Sequence, residues 1–283
     1  MDTAVKESPE QIIARVAATG ERRLTPCGDG HMVSHIWGSG PPLVFLHGNF
    51  GSWTHWIKNV EALGKHYRVI AVDIPGFGDS AVPPDPYTFN SISRIIADGL
   101  IDIVGDEKIN LVGFSFGAAT ASETANTLGD RMRKLVLVSA GRNMTGITRP
   151  AMDEFIKWRG FETRAERDAA HKRNLEVIMI GNPSRIDDLA ITIQRTNAER
   201  ARLRAAGVRK DASTQVHVPK LKCAVGFIWG DRDSTIGPHL HERSQWVQRF
   251  RPDARYIFIP DGGHWVAYEQ PEAFNKAMLD LLA

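Results

Sequence analysis

The chain has 283 residues, enough for one large domain or a domain with an insertion, and for a substantial core. Its 42% apolar and 24% charged residues are ordinary for a soluble globular protein. A formal net charge of +2 argues against nucleic acid or a membrane surface as partner, and no run approaches the roughly 18 apolar residues of a membrane span.

The start, MDTAVKESPEQ, lacks the basic-then-apolar pattern of a secretory signal. Cys27 and Cys223 lie far apart and match no metal spacing, so both read as packed thiols in a reducing, cytoplasmic setting. Residues 8–18, SPEQIIARVAA, carry a serine cap, a proline at the first helical position and Glu10 and Gln11 close behind, which predicts a short capped helix in an N-terminal extension of residues 1–21. Two strands are expected near 22–27 and 31–37, around the turn CGDG. PPLVFLHG (41–48) has the continuous apolar pattern of a buried parallel strand. In WTHWIKNVEALGKH the spacing of Trp53, Trp56, Ile57, Val60 and Leu63 predicts a helix.

The alternation then repeats. YRVIAVDIPGFGDS reads as strand and loop, SISRIIADGLIDIVG as helix, INLVGFSFG as strand, GAATASETANTLGDRM as helix and KLVLVSAG as strand. Such alternation implies right-handed crossovers and a mostly parallel sheet covered on both faces. Between residues 142 and 217 the rhythm breaks into predicted helices, PAMDEFIKWRGF, TRAERDAAHKRNLEVIMI and PSRIDDLAITIQRTNAERARLRAAG. Strand, helix, strand and helix resume from VGFIWGDRDS (225–234) through RYIFIPDGGHW to PEAFNKAMLDLL. The expected organisation is one α/β core, residues 22–141 and 218–283, with a helical cap over 142–217.

GFSFG matches G-x-S-x-G at Gly113, Ser115 and Gly117. The pattern alone recurs by chance; here the strand NLVG precedes it and the helix AATASETA follows. In that context the serine sits on a tight strand-to-helix turn as a nucleophile, with the Phe116 N–H facing a developing oxyanion. A serine hydroxyl needs a positioned base. Of the ten histidines, His264 is the best placed, since it follows the strand RYIFIP in the glycine-rich loop DGGHW. A carboxylate must orient that base, and the end of VGFIWG offers Asp233, the preferred residue, with Asp231 as the alternative.

These segments together resemble the α/β-hydrolase fold superfamily from about residue 24 to 283. HGNFGSW (47–53) is similar to its His-Gly oxyanion loop, DIPGFGDS (73–80) to its Asp-x-x-Gly-x-Gly-x-Ser segment, GFSFG to its nucleophile elbow, GDRD (230–233) to its acid turn and GGHW to its histidine loop. The resemblance implies an eight-stranded-type sheet, catalysis by Ser115, Asp233 and His264, and an oxyanion hole from the backbone N–H of Phe116 with that of Asn49 or Phe50. It gives His47, Asp73 and Ser80 structural roles. It implies no metal or organic cofactor and a small-molecule substrate; cap-bearing relatives often pair, which leaves the oligomeric state open with a homodimer among the options.

Haloalkane dehalogenases and epoxide hydrolases of this fold use an aspartate at the elbow, so Ser115 argues against both. A serine nucleophile fits hydrolysis of a small, largely apolar carboxylic ester or lactone through an acyl intermediate. His264-Trp265, EQPEAFN (269–275) and the helical cap resemble the meta-cleavage C–C hydrolases, which make C–C hydrolysis the second reading. Against it, Asn49-Phe50-Gly51 stands where those enzymes have a glycine–proline-rich loop, and Phe114 where they have an asparagine. They also hold a substrate carboxylate with a cap arginine, and DDLAITIQRTNAER offers Gln194 and Arg195 near that place. The stretch from 142 to 215 carries 15 Lys and Arg against 10 Asp and Glu, read chiefly as solvated helix faces. Met144, Met152, Phe155, Trp158, Met179 and Ile180 are apolar cap candidates for the pocket, with Phe114 and Trp265 from the core. Ligand receptors and cofactor-free oxygenases on the same fold are readings of another class.

Overall fold

The computed structural model describes residues 7–140, 154–203, 207–208 and 217–283. Among them, eight strands form one sheet: β1 (Glu21–Cys27), β2 (Gly30–Trp37), β3 (Pro42–Leu46), β4 (Arg68–Asp73), β5 (Ile109–Phe114), β6 (Met132–Val138), β7 (Ala224–Gly230) and β8 (Arg255–Ile259). Their order is β1-β2-β4-β3-β5-β6-β7-β8. Strand β2 runs antiparallel to β1 and β4, and the other neighbouring pairs are parallel. Strands β3 and β5 are buried at every position, which is why PLVFL and INLVGF are apolar without alternation.

The helices are α1 (Pro9–Ala18), α2 (Val60–Leu63), α3 (Phe89–Val104), α4 (Phe116–Leu128), α5 (Arg164–Asn174), α6 (Asp188–Arg200), α7 (Leu240–Phe250), α8 (Val266–Glu269) and α9 (Pro271–Leu282). Apolar faces of α3, α4 and α7, through Ile92, Ile96, Ala121 and Val247, fill the core on one side of the sheet. On the other side Val60, Leu63, Phe274 and Met278 of α2 and α9 pack together with Leu175, Leu189 and Ile193 from the inserted helical region. Cap and core therefore share one apolar layer. Helix α1 starts at the serine cap expected for it, which the structure extends to a capping box with Ser8 and Gln11 exchanging side-chain and backbone bonds, and it lies against α6.

Four predicted helices differ from what forms. The segment 53–66 is a 3₁₀ turn at Trp53–Trp56 followed by the short α2, not one helix. The Trp53 N–H goes to Asp73, and the Asn59 amide goes to the Ala267 carbonyl and Asn275, so tertiary bonds hold both ends apart. Of PAMDEFIKWRGF, residues 150–153 lie outside the described residues and only a 3₁₀ turn forms at Trp158–Gly160. The Asn174 side chain takes both the N–H and the C=O of Ile156, groups a helix would have used internally. The next helix is α5 to Asn174, then a π-helical turn at Leu175–Met179. The last is α6 alone, capped by Asp187 and ending at Arg200.

Candidate active site

The turn from β5 into α4 places Ser115 at φ 53° and ψ −108°, a left-handed conformation that costs a non-glycine residue energy. Its N–H donates to the Val138 carbonyl at 3.0 Å, which fixes the turn to the end of β6. The flanking glycines are required by close approach. A Cβ on Gly113 would lie 2.3 Å from the Gly117 carbonyl oxygen, and a Cβ on Gly117 2.3 Å from that of Leu46. Phe114 and Phe116 on either side are buried, whereas Ser115 reaches the surface of the turn. The Phe116 N–H heads α4, where no carbonyl of its own helix can reach it.

Two later strand ends supply partners for the hydroxyl. His264 Nε2 lies 2.9 Å from Ser115 Oγ, and His264 Nδ1 lies 2.8 Å from Asp233 Oδ2. Every group is satisfied when Nδ1–H donates to Asp233 and Nε2 accepts the serine proton. Asp233 is 2% exposed; Asp231, the alternative acid, is exposed to solvent. Burial alone would push the Asp233 carboxyl up. The charge and hydrogen bond of His264 and two bonds from Thr235 outweigh it and hold the group below the usual range. Thr235 donates its N–H and hydroxyl to Asp233 Oδ1 at 2.8 and 2.7 Å, and its Oγ1 also lies 3.1 Å from His264 Nδ1. Ser139 donates its hydroxyl to the His264 carbonyl at 2.8 Å. Neither Thr235 nor Ser139 was marked by the sequence. Each acts through tertiary contacts, although Ser139 directly follows β6.

The loop after β3 faces the elbow. His47 is wholly buried, accepts the Ile74 N–H on Nε2 at 3.0 Å and contacts the Gly48 carbonyl through Nδ1 at 2.7 Å. Burial pushes its pKa down to about 4, so it is a neutral brace. The Gly48 N–H donates to His55 Nδ1 at 3.3 Å. Asn49 and Phe50 follow, both partly exposed, with Phe50 at φ 52°. Ser52 and Thr54 then bond Asn197 of α6, at 2.8 and 3.0 Å. Below them Asp73 accepts the N–H groups of Trp53 and Asp79, and Ser80 bridges the Asp73 carbonyl and the Val33 N–H. His35, Asp73 and Asp79 bring donor atoms within 4.8 Å of one another. Each Asp73 oxygen accepts one of those amides, and Asp79 is paired with Arg200.

Residues 41–271 match the model of the α/β hydrolase fold family. The chain belongs to that family. A 2-hydroxy-6-oxo-6-phenylhexa-2,4-dienoate hydrolase of Burkholderia cepacia is 30% identical over 87% of this chain and 89% of its own length. The dihydrolipoyllysine-residue acetyltransferase component of an acetoin cleaving system of Pseudomonas putida is 27% identical over 86% of this chain, which spans 64% of that protein's length. The naproxen esterase (carboxylesterase NP) of Bacillus subtilis shares the fold, with a TM-score of 0.76, 18% identity and 97% coverage of both chains. This protein is a hydrolase of the α/β-hydrolase fold.

The expected pocket residues take up different surroundings in the fold. Arg195 does not present a free guanidinium: its Nε donates to Asp168 at 2.7 Å and its terminal nitrogen lies 3.7 Å from Glu199, inside the cap. Trp265 is 1% exposed, stacks on Tyr268 and donates its indole N–H to the His55 carbonyl at 2.8 Å, so it braces the loops around the site. Phe114 is likewise buried, packed between Trp56, His55 and the His264 ring, whose centroid is 5.1 Å away. Trp158 packs against His171 within the cap, the two rings tilted by 43°. Met179 does lie beside the site, since its carbonyl accepts the Trp265 N–H at 2.7 Å. Met144 and Met152 lie outside the described residues, and Phe155 is exposed. Among the described residues, no helix is long and apolar enough to cross a membrane.

Proposed function

We propose that the protein is a serine hydrolase that cleaves small, largely apolar carboxylic esters or lactones through an acyl-enzyme. The unbroken line of hydrogen bonds from Ser115 to His264 to Asp233, at 2.9 and 2.8 Å, carries this reading. Ser115 Oγ attacks the acyl carbonyl while its proton passes to His264 Nε2. Asp233 stabilises the imidazolium that forms. The carbonyl oxygen gains negative charge facing the Phe116 N–H and the N–H of Asn49 or Phe50. His264 then returns the proton to the leaving alcohol oxygen. Water, deprotonated by the same nitrogen, attacks the acyl-enzyme; the C–O bond to Ser115 breaks, His264 returns the proton to Ser115 Oγ, and the acid product leaves.

Cleavage of a C–C bond in a vinylogous diketone is the second reading, favoured by the 30% identical relative named as a dienoate hydrolase. Ester cleavage is preferred because Arg195 is neutralised within the cap by Asp168 and Glu199, and because apolar Phe114 precedes the nucleophile. Turnover of p-nitrophenyl butyrate and of a ring-fission dienoate, each by the wild type and by Ser115→Ala, tests the choice. Serine-dependent turnover of the ester alone supports it, and a marked preference for the dienoate reverses it.

A further inference from the structure

One buried carboxylate joins the cap to the loop that carries the base. Glu269, 4% exposed, accepts the Gly263 N–H at 2.7 Å and the Gly181 N–H at 2.9 Å on Oε2, and the Asn182 N–H at 2.8 Å on Oε1. Gly263 immediately precedes His264. Gly181 and Asn182 belong to the cap, just past the π-helical turn Leu175–Met179. On the other side of His264, the Trp265 N–H donates to the Met179 carbonyl at 2.7 Å. The base is therefore bracketed by bonds to one short cap segment.

The two backbones meet at a distance that leaves no room for a side chain at either glycine. A Cβ on Gly263 would lie 2.2 Å from the Gly181 nitrogen, and a Cβ on Gly181 would lie 3.1 Å from the Gly263 nitrogen and 2.8 Å from Arg232 Cβ. The same segment reaches the acid turn, where Ser234 donates its hydroxyl to the Val177 carbonyl at 2.9 Å. Three amide donors converging on one buried carboxylate make charge-assisted bonds, the strong kind, and leave the group little freedom to shift.

We propose that Glu269 is a positioning residue for His264, locking the cap segment 179–182 and the histidine loop into one unit so that Nε2 stays in register with Ser115. The proposal rests on the reading of His264 as the base. Glutamine keeps the shape but has one acceptor oxygen, so in either orientation its NH₂ group opposes at least one backbone N–H. Displacing the base loop from the elbow slows proton transfer without altering how the acyl group docks.

The test follows inactivation by a p-nitrophenyl alkylphosphonate, with rate constants normalised to the sites titrated by the nitrophenol burst. Glu269→Gln is expected to lower the limiting rate constant about tenfold or more and to leave the half-saturating concentration unchanged. Gly181→Ala, which presses on the same contact from the cap side, lowers it in the same way and carries the test if Glu269→Gln does not fold. Limiting constants within about twofold of wild type in the folded variants, or losses confined to the half-saturating concentration, overturn the positioning role. His264→Ala separates the two claims: inactivation of that variant at the wild-type rate would mean that His264 is not the base.

Discussion

Ser52 donates its hydroxyl to the Asn197 side-chain oxygen at 2.8 Å, a buried bond from the loop after His47–Gly48 to cap helix α6. The Asn197 amide returns a bond to Thr54 at 3.0 Å, so one cap side chain secures the loop that carries Asn49 and Phe50. Asn197→Ala is expected to lower kcat on p-nitrophenyl butyrate about tenfold and to weaken a boronic acid analogue of the tetrahedral intermediate in parallel, with little change in KM. Equal affinity of the analogue for variant and wild type would detach the cap from the oxyanion loop.

The acid turn offers a contrast between two neighbouring aspartates. Asp233 meets His264 Nδ1 at 2.8 Å, whereas Asp231 is exposed. Asp233→Asn should reduce kcat/KM by about 10³-fold to 10⁴-fold, because the amide no longer holds the imidazole in the required tautomer. Asp231→Asn should leave ester turnover near wild type. The reverse pattern would reassign the acid.

Arg195 gives a prediction about selectivity. With its charge balanced by Asp168 and Glu199 inside the cap, it is not expected to anchor a substrate carboxylate. Arg195→Ala should lower thermal stability by loosening α5 from α6, while the ratio of kcat/KM for a neutral ester to that for an ester bearing a carboxylate stays within about twofold of wild type. A selective loss on the anionic ester would return Arg195 to the pocket.

The contrast between Arg195 and Ser115 shows what could be read in the sequence. Ser115, His264 and Asp233 stand at strand ends inside short glycine-bearing motifs; the proposed acyl transfer asks for those residue types, and the α/β-hydrolase sheet sets their chain order. The eight strands were legible because buried apolar runs and turn residues are local signals. Arg195 is neutralised by Asp168, 27 residues away, a pairing that no local pattern encodes. The helix expected over 150–161 fails within its described part because Asn174 captures the backbone of Ile156. Glu269 lay inside the quoted EQPEAFN, yet its three donors come from Gly181, Asn182 and Gly263, which only the folded chain brings together.

Buried imidazoles set the response of stability to acid. Burial pushes His35, His47 and His171 down to about 4 from 6.5, and His55 well below 6.5. Unfolding returns them to the ordinary value, so between about pH 6.5 and about pH 4 the unfolded chain binds more protons and stability falls as pH drops. Asp73 works the other way: burial raises it to about 7 from 3.8, so over most of that window it favours the folded state on acidification. Four histidines outweigh one carboxyl. Urea unfolding at about pH 5 should show a stability lower than at about pH 7.5 by on the order of a few kcal/mol. An unchanged or higher midpoint at the acid pH would contradict this balance.

The most direct test of the central claim is the mass of the protein after reaction with a p-nitrophenyl alkylphosphonate, followed by peptide mapping. One phosphonyl adduct on Ser115 is predicted in the wild type, with none in Ser115→Ala and a strongly slowed reaction in His264→Ala. An adduct on another residue, or undiminished ester turnover by Ser115→Ala, would contradict an acyl-enzyme at Ser115.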